Sequence, residues 1–170
     1  MWWSILIIAL SIILDQVFKL IAGIYQPSET VFIKNVIHFS YVENSGASYG
    51  ILPNNQLLLA GITIVALGVF GYLFYRMNFS KNKVYAVGLS LIVGGTLGNA
   101  IDRVMNGYVV DFLYYPFLDK ILPNGIGAFS NNPADLFLFA GLILLIIHIL
   151  FLDKKGKKSA KDQGNQSPKS

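Results

Sequence analysis

Four long apolar segments constrain this chain more than any other feature of its sequence. They cover residues 2–24, 57–75, 85–103 and 134–152. Each is close to the ~20 residues that cross ~30 Å of hydrocarbon as an α-helix. Only 13% of the residues are charged, whereas a soluble domain carries about 25%. The sequence therefore predicts an all-α membrane protein with four transmembrane helices, since spanning segments must satisfy their own backbone hydrogen bonds.

The net charge of +4 is concentrated at one end of the chain. Residues 153–170 hold six Lys against two Asp, and the rest of the chain holds seven Lys or Arg against seven Asp or Glu. This predicts an integral membrane domain over residues 1–152, followed by a basic, disordered cytoplasmic tail over residues 153–170. No basic stripe with interleaved aromatic residues is present, so nucleic-acid binding is not expected.

The loops between the apolar segments indicate the orientation. The short second link carries Arg76, Lys81 and Lys83, whereas the two long loops carry few basic residues. The positive-inside rule then places both termini in the cytoplasm and both long loops outside. In the first long loop, over about residues 29–50, two β-prone runs predict a small extracytoplasmic β platform between helices 1 and 2.

The absence of cysteine excludes disulfides, thiolate metal sites and a cysteine nucleophile. The chain has two histidines, His38 and His148, which argues against a histidine-rich metal site. We therefore expect neither a metal nor a cofactor.

Asp15 and Lys19 interrupt the first apolar segment. They are four residues apart, so they share one helix face and can form an ion pair. Such a pair is either a self-neutralised pair near the outer interface or part of a functional site, because intramembrane charges are costly.

The third segment carries Asn99, Asp102 and Arg103 near its end, after several glycines that favour close helix packing. Adjacent residues on a helix do not face one another, so Asp102 and Arg103 each need another partner. We expect Asp15 to be available to Arg103.

Two further carboxylates follow the third segment. Asp111 lies in an apolar, strand-like run, where burial raises the pKa of a carboxyl. Asp135 follows Asn132 at the start of the fourth segment, where it is either a capping residue or a carboxylate fixed at the outer membrane surface. Two carboxylates in different surroundings at one membrane face can divide the acid and base roles of a reaction.

Two alternatives use other residues. Gly46 to Gly50 matches G-x-S-x-G, which would make Ser48 the nucleophile of a membrane serine hydrolase, but the α/β sheet that this motif requires is not predicted. A small transporter or ion-binding bundle would use Asp15, Lys19 and Asp102 as a relay. The clustering of charges at the outer helix ends favours a surface-level site instead.

Five motifs occur in order along the chain: DQVFK (15–19), ENSGASYG (43–50), GGTLGNAIDR (94–103), VVDF (109–112) and NPAD (132–135). In this order they resemble bacterial lipoprotein signal peptidases, the type II signal peptidases of aspartic peptidase family A8. The resemblance covers about residues 1–152. It implies an endopeptidase of the bacterial cytoplasmic membrane, active at the outer face, that cleaves diacylglyceryl-modified prolipoproteins just before the lipidated cysteine. It also implies contact with membrane lipids and inhibition by globomycin-type peptides, and we expect a monomer.

The resemblance implies that Asp111 and Asp135 are the catalytic pair. It implies a supporting and substrate-contacting set of residues: Asp15, Lys19, Asn44, Gly46, Asn99, Asp102, Arg103 and Asn132. The chain departs from the family pattern at Ser48, Tyr49 and Asn131. These departures affect the expected loop contacts to substrate and inhibitor, and they leave the aspartates intact.

Overall fold

The computed structural model describes residues 2–46, 55–77, 79, 82–121 and 130–152. Its helices are α1 (Trp2–Tyr25), α2 (Gln56–Arg76), α3 (Lys83–Asn106) and α4 (Pro133–Ile147), and a π-helical turn (His148–Leu152) continues α4. All four helices are long and apolar enough to cross a membrane, counting the π-helical turn with α4. The prediction of four membrane helices is therefore confirmed. Ser48, Tyr49 and the tail lie outside the described residues.

A four-stranded antiparallel sheet lies at one end of the helices. Its strands are β1 (Thr30–Ile33), β2 (Ile37–Asn44), β3 (Val109–Tyr114) and β4 (Ser130–Asn131), in that spatial order. The platform predicted in the first long loop is present, and the second long loop extends it with β3 and β4. Because β2 and β3 pair with Val42 opposite Asp111, the sheet joins the two loops.

Helix α3 lies in the middle of the bundle and packs against α1, α2 and α4. Close approach depends on glycines: a Cβ on Gly88 would lie 2.9 Å from the carbonyl oxygen of Gly141 in α4. On the opposite side, a Cβ on Gly94 would lie 2.7 Å from the Cβ of Ser11 in α1. The predicted role of the glycines in close helix packing is therefore confirmed.

The end of α3 directs the chain into the sheet. Gly107 caps the helix with a φ of +81°, a left-handed conformation that glycine adopts without steric cost. Strand β3 begins at Val109, only two residues later. This short connection places Asp111 beside the last turn of α3.

Candidate active site

The buried charges gather at the end of the bundle that meets the sheet. Asp15 and Lys19 lie in the second half of α1, Asp102 in the last turns of α3, and Asp135 in the first turn of α4. The first three side chains are at most 3% exposed. This arrangement concentrates ionisable groups at one depth of the bundle.

Lys19 lies at the centre of this cluster. Its Nζ is 2.9 Å from Asp15 Oδ2 and 3.0 Å from Asp102 Oδ2, and it donates to Asn99 Oδ1 at 2.8 Å. The three donors of the ammonium group thus have three acceptors. The predicted Asp15–Lys19 pair is confirmed, and Asp102 is a second partner of the same cation.

The two carboxylates that Lys19 joins also hold backbone amides of other segments. Asp15 Oδ1 accepts from the Ala134 N–H at 2.9 Å, and Asp102 Oδ2 accepts from the Val110 N–H at 3.0 Å. Ala134 directly precedes Asp135, and Val110 directly precedes Asp111. Helix α1 therefore fixes the start of α4, and α3 fixes strand β3.

Asp111 is buried at 2% exposure on β3. Its Oδ2 accepts from Asn44 Nδ2 at 2.8 Å, and its Oδ1 accepts from Asn132 Nδ2 at 2.7 Å. Burial, and secondly the nearby Asp135 carboxylate, raise the pKa of Asp111 to about 7, although these hydrogen bonds and Lys19 act in the opposite direction. The group can therefore exchange a proton near neutral pH.

Two asparagines connect Asp111 to Asp135. Asn132 Nδ2, besides its bond to Asp111, donates to Asn99 Oδ1 at 3.1 Å, and Asn99 Nδ2 donates to Asp135 Oδ1 at 2.8 Å. The structure therefore brings both predicted catalytic carboxylates into one hydrogen-bond network. Asn132 Oδ1 accepts from the Asp135 N–H at 3.1 Å, so Asn132 is the N-cap of α4 and the Asp135 carboxylate binds Asn99 rather than the cap.

Arg103 does not pair with Asp15, so that sequence expectation was wrong. Its Nη1 donates to the Asn99 carbonyl oxygen at 3.4 Å, and its charge interacts with the carboxylates of Asp135, Asp111 and Asp102, in decreasing order. The reason is helical geometry, because Asp15 already faces Lys19 one turn away on its own helix. Arg103 thus lies near the candidate pair as an additional positive charge.

Asn44 and Gly46 lie at the end of β2 beside Asp111. Asn44 Nδ2 donates to Asp111, and Asn44 Oδ1 accepts from the Gly46 N–H at 3.0 Å. This bond closes the turn predicted at residues 44–46 and fixes the amide orientation, so that its nitrogen faces the carboxylate.

Gln16 belongs to the same network, although the sequence analysis did not single it out. Its Nε2 donates to Asp102 Oδ1 at 3.0 Å and to Asp15 Oδ2 and the Gly98 carbonyl oxygen at 3.2 Å each. A sequence signal existed, because Gln16 is a long polar residue in an apolar helix, three positions before Lys19 on the same face.

An apolar groove of about 330 Å³ opens beside Asp135. Its lining comes from α2, α3, β4 and α4: Phe70, Ile92, Asn131, Asp135, Leu138, Phe139 and Leu142. Asn131, where the chain departs from the family pattern, accepts from the Tyr115 hydroxyl at 3.1 Å. Asp135 therefore faces a cavity suited to an apolar segment, whereas Asp111 is buried and does not line that cavity.

Within the described ranges, no group of three or more His, Asp or Glu side chains is placed to hold a metal ion. The cluster consists of carboxylates, amides and two cations. Together with the four apolar helices, this arrangement defines a multi-pass membrane protein with an acidic site where the bundle meets the sheet.

Comparison with known proteins identifies its family. The profile of peptidase family A8, signal peptidase (SPase) II, matches residues 7–151. The chain belongs to the signal peptidase II family and is a peptidase. The resemblance indicated by the five motifs is confirmed.

Individual relatives cover nearly the whole chain. A lipoprotein signal peptidase of Clostridium tetani is 44% identical over 151 residues, which cover 86% of this chain and 92% of the relative. One from Clostridioides difficile is 38% identical, covering 90% and 98% of the two chains. A solved structure described as a bacterial membrane enzyme, determined by the in meso method at 2.3 Å resolution, has a TM-score of 0.77 at 32% identity and covers 100% of this chain and 94% of its own.

Proposed function

We propose that this protein is an aspartic endopeptidase that removes the signal peptide from diacylglyceryl-modified prolipoproteins, cleaving just before the lipidated cysteine. The observation that carries the proposal is the Asp111–Asn132–Asn99–Asp135 network, with its hydrogen bonds of 2.7, 3.1 and 2.8 Å. It holds two carboxylates from different segments at one end of a membrane bundle. Membership in the signal peptidase II family supports the substrate class.

The two carboxylates share one proton in the proposed mechanism. We assign the charge to Asp135, which lines the groove, and the proton to Asp111, whose pKa is raised by burial and by Asp135 to about 7, although the proton belongs to the pair. Ionised Asp135, at the groove, takes a proton from a water molecule that attacks the scissile carbonyl carbon. Asp111 donates its proton to the carbonyl oxygen, which gives a tetrahedral diol. Asp135 then passes the proton it took from water to the peptide nitrogen as the C–N bond breaks. Asp111 takes back a hydroxyl proton as the new carboxylic acid forms, so no covalent enzyme intermediate is needed.

The groove beside Asp135 supports an apolar peptide substrate. Its aliphatic and aromatic lining continues from Asp135 along α4 to Leu142. An apolar signal peptide bound there would place its end at the carboxylates. The basic α2–α3 link supports placing the sheet and the site at the outer face of the cytoplasmic membrane, where an exported lipoprotein precursor arrives.

The test is cleavage of a diacylglyceryl-modified prolipoprotein by purified Asp111→Asn and Asp135→Asn variants. Both changes preserve side-chain size, and we expect each to reduce kcat by at least about 10³-fold. A measurable melting transition shows that each variant is folded. Ser48→Ala is the control for the serine-nucleophile alternative, and we expect it to retain substantial activity. A folded Asp variant with near wild-type turnover contradicts the aspartic mechanism.

A liposome flux assay on the same preparations tests the transporter alternative. A conduction path requires polar groups through the membrane depth. In the described helices, the charged residues gather in the half of the bundle nearer the sheet, except Arg76 and Lys83, which lie at the opposite end. We expect no flux of ions above that of empty liposomes. Flux that depends on Asp102, together with active Asp111→Asn, would favour transport instead.

A further inference from the structure

One uncharged side chain lies between the two carboxylates that hold the catalytic segments. Gln16 Nε2 is 3.0 Å from Asp102 Oδ1, 3.2 Å from Asp15 Oδ2 and 3.2 Å from the Gly98 carbonyl oxygen. All three neighbours are acceptors, so the nitrogen end of the amide must face them.

We propose that Gln16 is a positioning residue for the cleavage reaction, setting the spacing between the chain segments that carry Asp111 and Asp135. This inference rests on the proposed function of those two aspartates. It assigns a role to a residue of α1 that touches neither of them.

Gln16 influences the positions of Asp111 and Asp135 through the peptide unit that precedes each of them. Asp15 accepts from the amide of Ala134 at 2.9 Å, and Asp102 accepts from the amide of Val110 at 3.0 Å. A shift of either carboxylate therefore moves the backbone immediately before a candidate catalytic group. A misplacement of ~1 Å at reacting groups can reduce a rate by ~10²-fold.

Lys19 alone leaves the plane of Asp102 undefined. Both Lys19 Nζ and the Val110 N–H bind Asp102 through its Oδ2 atom. Gln16 Nε2 donates to the other oxygen, Oδ1, at 3.0 Å. Because a carboxylate held through one oxygen can rotate about that contact, the amide of Gln16 supplies the second point that fixes its orientation.

The neutrality of the Gln16 side chain also matters, because titratable groups surround it. Asp15 contacts Gln16 within α1, and Asp102 contacts it from α3. Lys19, Tyr41 and Tyr108 line a cavity of about 420 Å³ together with Gln16. A neutral amide donates to both carboxylates and adds no charge between them. An ionised glutamate at this position would repel both, whereas a protonated one would still donate one hydrogen bond.

Three variants test the proposal with the diacylglyceryl-modified prolipoprotein as substrate. Gln16→Leu removes the donors at similar volume, and we expect kcat to fall at least ~10-fold with KM changed less than ~3-fold. For Gln16→Glu, the measured quantity is the ratio of its kcat to the wild-type kcat at the same pH. We expect this ratio to be low at pH 8 and to rise towards one as the pH is lowered to 5.5. Ser11→Ala, which removes a hydroxyl from the buried face of α1, should keep kcat within ~2-fold.

The pH profile adds a readout that simple loss of packing does not move. If Gln16→Leu separates the two carboxylates, Asp135 raises the pKa of Asp111 less, and the basic limb of the kcat profile shifts to lower pH. A folded Gln16→Leu variant with wild-type kcat and an unshifted limb overturns the proposal. If Gln16→Leu fails to fold, a pH-independent loss in Gln16→Glu overturns it, and recovery at acidic pH supports it. An active Asp111→Asn variant refutes the proposed function itself, whereas an inactive one beside a fully active Gln16→Leu refutes only the positioning role.

Discussion

Replacing Lys19 by methionine tests whether the buried charge cluster stabilises the bundle. Methionine has a similar length and fills the same space, but it offers no hydrogen-bond donor. The change removes the contacts of the ammonium group to Asp15 Oδ2 (2.9 Å), Asp102 Oδ2 (3.0 Å) and Asn99 Oδ1 (2.8 Å). It leaves two buried carboxylates without their shared cation.

Two estimates bracket the loss in the free energy of unfolding. Two of the three contacts, those to Asp102 and Asn99, join α1 to α3. Interhelical polar contacts in membrane proteins average about 0.6 kcal/mol, so these two give a lower figure of about 1 kcal/mol. Removing one partner of a buried ion pair costs about 3–5 kcal/mol, because the remaining charge is uncompensated. Lys19 is 3% exposed and both carboxylates are at least as well buried, so we expect a loss near the upper figure, about 3–5 kcal/mol.

The measurement is reversible unfolding in mixed micelles by titration with a denaturing detergent, followed by far-UV circular dichroism of the helices. A second variant combines Lys19→Met with Asp15→Asn and Asp102→Asn, which removes all three charges. Because asparagine still offers a carbonyl oxygen to the Ala134 and Val110 amides, we expect this triple variant to recover at least half of the lost stability.

A Lys19→Met protein that unfolds within about 1 kcal/mol of wild type refutes the reasoning. So does a triple variant that is less stable than Lys19→Met alone. The second result would mean that the carboxylates stabilise the bundle independently of the cation, through their backbone contacts.

Three further predictions concern the site and the packing. Asn44→Ala removes a hydrogen-bond donor that favours ionised Asp111, and this raises the Asp111 pKa above about 7. In a plot of kcat against pH, the basic limb, where Asp111 loses its proton, should move to higher pH. Asn132→Ser keeps an N-cap side chain but loses the amide donor to Asp111; we expect a stability loss below about 1 kcal/mol and at least a tenfold drop in kcat, measured in parallel. Gly95→Ala pushes a methyl group against the backbone of α4 and should lower stability by about 1–3 kcal/mol, whereas Gly68→Ala, which meets open space, should not.

The helices could be predicted because their signal is local. A run of about 20 apolar residues is stable across a bilayer as an α-helix. The predicted segments agree with α1 to α4 within about two or three residues at the majority of the helix ends. The exit from α3 is also local, because Gly107 adopts the left-handed conformation that ends the helix. These features needed no knowledge of neighbouring segments.

The pairing of charges could be predicted only within one helix. Asp15 and Lys19 are neighbours by helical spacing, so their contact followed from the sequence. The partner of Arg103 depends on how α1 and α3 rotate about their axes. Adjacent residues on a helix point about 100° apart, so the rotation that turns Asp102 towards Lys19 directs Arg103 elsewhere. Glycine contacts such as Gly94 against Ser11 set that rotation, and single-sequence patterns do not reveal which faces meet.

The sheet illustrates the same limit for strands. The apolar run at Asp111 looked like a strand, but its partner β2 lies more than 60 residues earlier in the chain. That pairing matters for the site, because Asn44 reaches Asp111 only when β2 and β3 lie side by side. A two-residue strand such as β4 carries too little pattern to predict, and its Asn131 lines the groove.

A helix cap and a carboxylate fixed at the outer membrane surface were alternative interpretations of the start of α4, and Asn132 connects the cap to the candidate site. Asn132 caps the helix with its Oδ1 atom, and with its Nδ2 atom it binds Asp111 and Asn99. The helix start is therefore fixed to the site by the residue that begins it, and Asp135 is held on a regular helix rather than on a loop. Such a site is preorganised, which reduces the reorganisation required during reaction.

Because Asp111 is buried and Asp135 faces the groove, the proposed substrate and water reach the pair from the Asp135 side. Bulky changes in the groove, such as Leu138→Trp, should then raise KM more than they lower kcat.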